Sequence, residues 1–252
     1  MRKIALVTGA TAGIGTATAE ILAINSYNLI ITGRRKELLD RLKNELGVKY
    51  KSDVLALNFD IRDRKQTEEA IDQLPKPWKK IDVLINNAGL AAGLAPIQDG
   101  SVDDWEQMID TNIKGLLYIT RKIAPMMIKA GSGHIVNISS IAGKELYEKG
   151  NVYCATKHAV DALTKGMRID LLKHNIKVTS ISPGFVETEF SLVRFKGDKQ
   201  RAAKVYEGIT PLSADDVAEA VWFALSRPAH VNINDMLIMP TAQANVTTVV
   251  RK

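Results

Sequence analysis

Ile4 to Val7 is an unbroken apolar run that enters Thr8-Gly9-Ala10-Thr11-Ala12-Gly13-Ile14-Gly15 and then a helical apolar pattern lasting through Ile24. Four apolar residues are too few for a helix, and an unbroken run suits a strand buried on both faces of a parallel sheet. Strand, glycine loop and helix are the first parts of a βαβ unit. Gly9 lets the chain turn sharply, Gly13 and Gly15 let backbone approach a phosphate, and the helix start offers free N–H groups to it. The plainer reading is a glycine turn between two elements; the flanking strand and helix favour phosphate binding.

The pattern repeats along the chain. Strands are predicted over 29–32, 54–59, 81–85, 134–138, 176–181 and 236–239, with helices over 36–46, 64–74, 102–129, 151–173 and 213–225 between them. Alternation of this kind predicts a doubly wound, Rossmann-type α/β fold, a mostly parallel sheet of about seven strands with helices on both faces. Residues 1–252 read as one domain. Residues 185–212 look irregular and polar, a length that suggests a lid over a site. The tail beyond Met239 is expected to pack on a neighbouring subunit. Ligands bind beyond the carboxyl ends of such strands, and Gly9, Arg34, Asp60, Asn87, Ser140 and Gly184 all fall there.

At the second strand end stand Arg34 and Arg35, where an acid would bind the ribose hydroxyls of NAD and an arginine accepts the 2′-phosphate of NADP. Two cations favour NADP; the plainer reading is a solvated strand end. Asn112 falls mid-helix, where asparagine is mildly unfavourable, so it is either a surface accident or a buried hydrogen-bonding group. Ser139-Ser140 closes the fifth strand, and Tyr153-Cys154-Ala155-Thr156-Lys157 follows on a helix. Residues four apart share a helix face. An ammonium beside a phenol favours phenolate, so Lys157 is expected to draw Tyr153 from ~10 towards neutrality and suit it to acid–base work. Alone, Tyr-x-x-x-Lys more often decorates a solvated face.

The net charge of +6 and pI near 9.3 admit nucleic acid, but the charges are interleaved, as in Arg62-Asp63-Arg64-Lys65, rather than massed into a stripe. The single Cys154 cannot form an intramolecular disulfide or a cysteine metal cluster, which suits a reducing cytoplasm. No run approaches the ~20 apolar residues of a membrane span. These readings give no metal, no membrane and no nucleic-acid partner.

Taken together, the segments 8–15, 86–89, 153–157 and 183–184, with Asn112 and Ser140, resemble the short-chain dehydrogenase/reductase family over nearly the whole chain. The resemblance implies Tyr153 as catalytic acid/base, Ser140 on the substrate oxygen, Lys157 on the nicotinamide ribose, and Asn112 anchoring a water in the proton relay. It implies cofactor contacts from Gly9, Thr11, Ala12, Gly13, Ile14 and Gly15, from Asp60 and Ile61 at adenine, and from Asn87, Ala88 and Gly89. Pro183, Gly184, Val186 and Thr188 would meet the nicotinamide end. Residues 33–35, 193–198 and 228–234 further resemble the branch of NADP-dependent serine or 3-hydroxy acid dehydrogenases. The family resemblance implies a homo-oligomer, a tetramer, and the branch implies hydride transfer between NADP and a small 3-hydroxy acid, of the serine, allo-threonine or 3-hydroxyisobutyrate type, or the matching semialdehyde. Larger carbonyls, or NADPH sensing without catalysis, are the alternatives. Arg194 is the candidate for a substrate carboxylate, against a plainer role in solvating the lid or pairing with Asp198; Lys144 and Lys196 compete for the part.

Overall fold

The computed structural model describes residues 2–252. Seven parallel strands form one sheet in the order β3-β2-β1-β4-β5-β6-β7. They are β1 Ile4–Val7, β2 Asn28–Gly33, β3 Val54–Asn58, β4 Val83–Asn86, β5 Gly133–Ile138, β6 Ile176–Pro183 and β7 Asp235–Ile238. The order reverses between β1 and β4, which opens a crevice at the carboxyl ends.

Side chains alternate faces along a strand, so each apolar run feeds two cores. Ala5 and Val7 of β1 join Leu29 and Ile31 beneath α1 (Gly13–Ile24), α2 (Lys36–Tyr50) and α9 (Ala214–Leu225). Leu6 and Ile30 face the other way, with Ile119, Ile123 and Met127 of α5 (Leu116–Ala130) and with α3 (Arg64–Asp72). Fully burying one such side chain stabilises by about 1.5–3 kcal/mol, so this two-sided burial sets the layering. Ser213 caps α9 through a capping box with Asp216, as its sequence position predicts.

Two stretches differ from the sequence reading. The helix expected over 102–129 is α4 (Val102–Ile109) and α5 joined by a π-turn, Asp110–Gly115, that holds Asn112. Residues 185–212 are not irregular: α7 (Phe190–Arg194) and α8 (Lys199–Lys204) occupy them, and a bridge pairs Val186 with Leu212. The tail folds back on its own chain. The Val246 N–H donates to Glu145, the Lys252 N–H to the Gly208 carbonyl at 2.9 Å, and Gln243 accepts from the Phe185 N–H. The helices of 5 and 6 residues within 185–212 are each under two turns, too short for a helical period to show in the sequence, which is why they escaped a periodicity argument.

Candidate active site

The crevice is a cleft of about 500 Å³. Its walls carry Gly9, Thr11, Ala12, Gly13, Ile14, Arg34, Arg35, Asp60, Ile61, Asn87, Ala88 and Gly89 at one end. Ser140, Tyr153, Lys157, Pro183, Gly184, Val186, Thr188 and Arg194 line the other. Of the residues singled out by sequence, Gly15 and Asn112 stand behind this wall rather than in it.

The dinucleotide end is built for backbone approach. Gly9 has φ +65°, a left-handed conformation that glycine adopts freely. A Cβ on Gly15 would lie 2.3 Å from the Gly9 carbonyl oxygen, so no side chain fits there. No side chain caps the start of α1 and its first turn carries no acid, which leaves its N–H groups for an anion. Asn87 donates its side-chain amide to the carbonyls of Thr8 (2.9 Å) and Gly9 (3.1 Å), tying the end of β4 to the loop. Arg34 and Arg35 extend the cationic wall. Open helix N–H groups, a glycine cradle and two guanidinium groups fit a phosphate-bearing dinucleotide.

At the other end, α6 (Asn151–Leu171) places Tyr153 and Lys157 one turn apart, both buried. Lys157 donates from Nζ to the Ile138 carbonyl at 3.0 Å, and burial pushes its pKa down to about 8. Burial also raises the Tyr153 phenol, with the Tyr147 phenol adding to the effect and the Ser140 hydroxyl and the Arg194 charge opposing it. The expected draw of Tyr153 towards neutrality by Lys157 is therefore corrected: desolvation of the ring outweighs any help from the amine. Ser140 caps a short 3-10 turn, accepting from the Ala142 N–H at 3.1 Å. Asn112 is buried and fully engaged: the Leu90 N–H donates to Oδ1, and Nδ2 donates to the Leu90 carbonyl and to Thr156 Oγ1.

The cations sort themselves clearly. Lys144 pairs with Asp161 and Asp235, and Lys196 with Asp104 at 2.9 Å. Arg194 has no carboxylate partner among the described residues. Its Nε donates to the Gly93 carbonyl at 3.2 Å, and its guanidinium lies 5.4 Å from the Tyr147 ring and 5.7 Å from the Tyr153 ring. Asp198, its sequence alternative, caps α8 instead. Sequence reasoning missed Tyr147, Glu189, Phe190, Gln243 and Val246, which also line the cleft. Tyr147 and Phe190 were signalled by being aromatic within polar stretches; nothing local marks the others.

Residues 3–198 match the short chain dehydrogenase family. The chain is 50% identical over 242 residues to the NADP-dependent 3-hydroxy acid dehydrogenase YdfG of Salmonella typhi, covering 96% of each chain. It is 44% identical to sulfoacetaldehyde reductase 2 of Chromohalobacter salexigens, over 97% of this chain and 96% of that one. A solved structure described as the closed form of serine dehydrogenase complexed with NADP+ superposes with TM-score 0.93 at 46% identity, covering 99% of both chains. With its parallel sheet, glycine loop and Ser140, Tyr153 and Lys157 gathered at one end of the cleft, this chain belongs to the short chain dehydrogenase family.

Proposed function

We propose that this protein is an NADP-dependent oxidoreductase acting on small 3-hydroxy acids, or on the matching semialdehydes. Arg194 carries the reading: an arginine without a carboxylate partner, fixed at Nε and flanked by two tyrosines, stands beside the phenol that would do the acid–base work. Its two remaining nitrogens suit a bidentate anion. The activities of three relatives agree, since a 3-hydroxy acid, serine and sulfoacetaldehyde each carry an anionic group near the reacting carbon. That last relative favours a second reading, in which Arg194 receives a sulfonate.

NADP supplies the hydride chemistry when bound. Tyr153 gives a proton to the substrate oxygen in reduction and takes it in oxidation, while Ser140 hydrogen-bonds that oxygen. Lys157, anchored on Ile138, would hold the nicotinamide ribose, and Asn112 holds the loop at Leu90 in place. Arg34 would favour NADP, with Arg35 beside it, and Gly9, Thr11 to Ile14, Asp60, Ile61, Asn87 to Gly89, Pro183, Gly184, Val186 and Thr188 form the cofactor wall, with Gly15 behind it. Residues 185–212 serve as the lid of a single catalytic domain. The exposed Ile169 and Leu172 support homo-oligomerisation, of which a tetramer is the family expectation. The free buried thiol of Cys154 suits a reducing cytoplasm.

The decisive experiment is an NADP-linked activity screen with serine, allo-threonine, 3-hydroxyisobutyrate, 3-hydroxypropionate, a hydroxy sulfonate and neutral alcohols of matched size. Acids should be preferred over their neutral counterparts. Equal rates on neutral alcohols would overturn the substrate class.

A further inference from the structure

The two arginines of the cationic wall are not equivalent. Arg34 is about half exposed, and its nearest carboxylate, Asp60, lies 4.0 Å away. Asp60 is already held by Arg62 at 2.6 Å, which leaves the Arg34 guanidinium open. Arg35 is occupied on every side of its fork. It donates from Nη1 to Glu189 at 2.9 Å, and from Nη2 to the Thr11 carbonyl at 3.2 Å and hydroxyl at 3.1 Å. Its Nε reaches the same hydroxyl at 3.3 Å.

These contacts close a ring between distant parts of the chain. Thr11 belongs to the glycine loop and leans on Gly33, whose missing Cβ would fall 2.8 Å from the Thr11 methyl. Glu189 stands at the residue before α7 without capping it through its side chain, and its neighbour Thr188 sits against Gly13, whose missing Cβ would fall 3.0 Å from the threonine side chain. The ring therefore runs from the glycine loop through Arg35 and Glu189 to Thr188 and back. Arg35 is already held by its hydrogen bonds to Thr11, so pairing with Glu189 has only the glutamate side chain left to order.

We propose that Glu189 is a positioning residue that holds Arg35 as a strap between lid and glycine loop. Arg35 then acts in retention of either dinucleotide, and discrimination of NADP from NAD rests on Arg34. This rests on the reading of the cleft as a dinucleotide site. A half-exposed ion pair is weak, so the strap should be worth roughly two- to fivefold in cofactor affinity. The open Arg34, making a charge-assisted bond to phosphate, should be worth about tenfold or more, for NADPH alone.

The test is direct binding of NADPH and of NADH to the full chain, with release rates by stopped flow. NADPH binding by the unaltered protein checks the cleft reading on its own. Glu189→Gln should weaken both cofactors by the same small factor and speed their release, and should add nothing in an Arg35→Met background. Arg34→Gln should weaken NADPH and spare NADH. Three outcomes overturn the strap: no change in either cofactor with Glu189→Gln, tighter NADPH binding alone, which would make Glu189 a competitor of the phosphate, or full additivity with Arg35→Met.

Discussion

Lys157 is anchored on Ile138: its Nζ donates to that carbonyl at 3.0 Å, on the strand that delivers Ser140 to the cleft. The amine is buried, and its pKa falls from 10.5 to about 8. A buried lysine with a depressed pKa costs stability wherever the unfolded state holds the proton more tightly. That cost is full below about pH 8 and fades as pH rises towards 10.5.

Lys157→Met should therefore stabilise the protein at pH 7. The relieved charge is worth on the order of 3 kcal/mol and the lost hydrogen bond offsets about 1, for a net gain of about 2 kcal/mol. The advantage should shrink between pH 8 and 10.5, by denaturant unfolding at several pH values. A variant less stable at pH 7 would show that the ammonium is well compensated where it lies.

Tyr153→Phe should lower turnover by about 10²–10⁴-fold, the usual scale of general acid–base catalysis, with NADPH binding retained. Because burial raises the phenol above its ordinary value, it stays protonated through neutral pH. Carbonyl reduction should accordingly vary little across neutral pH, while alcohol oxidation should climb into the alkaline range. Loss of less than about tenfold in the variant would remove Tyr153 from the chemistry.

Arg194→Ala should reduce kcat/KM for hydroxy acids by about 1.5–3 kcal/mol, the scale of a hydrogen bond to a charged group. Neutral alcohols of similar size and NADPH affinity should be spared. Equal losses on acids and neutral alcohols would mean that Arg194 serves lid order through Gly93 and the tyrosines, and the carboxylate assignment would be wrong.

Asn112→Leu leaves the Leu90 N–H and carbonyl without their partner. Unsatisfied buried groups cost about 1–3 kcal/mol each, so the variant should unfold several degrees earlier as well as lose activity. Activity lost at unchanged thermal stability would instead favour the water-anchoring role implied by family resemblance.

What could be read from the sequence was what repeats at short range. Ala5 and Val7 against Leu6 in β1 follow from an apolar run, and α9 from the helical pattern over 213–225. That Ser140, Tyr153 and Lys157 would meet in one cleft was legible because Tyr153 and Lys157 share a helix face and Ser140 ends a strand. The ionisation of Tyr153 was not, because burial is a property of what Phe190, Tyr147 and Arg194 bring from elsewhere. Nor could spacing reveal that Arg35 meets Glu189, or that Val246 reaches Glu145, since such pairings exist only after the chain has folded.

The π-turn at Asp110–Gly115 works as a change of phase. Before it, Met108 packs in the small cluster around Tyr153; after it, Ile119 and Ile123 lie on the sheet. One helical rod thus serves two separate bodies, with Asn112 at the seam. An added residue is hidden there without any loop to show it, so a chain one residue shorter would rotate one half against the other by about 100°.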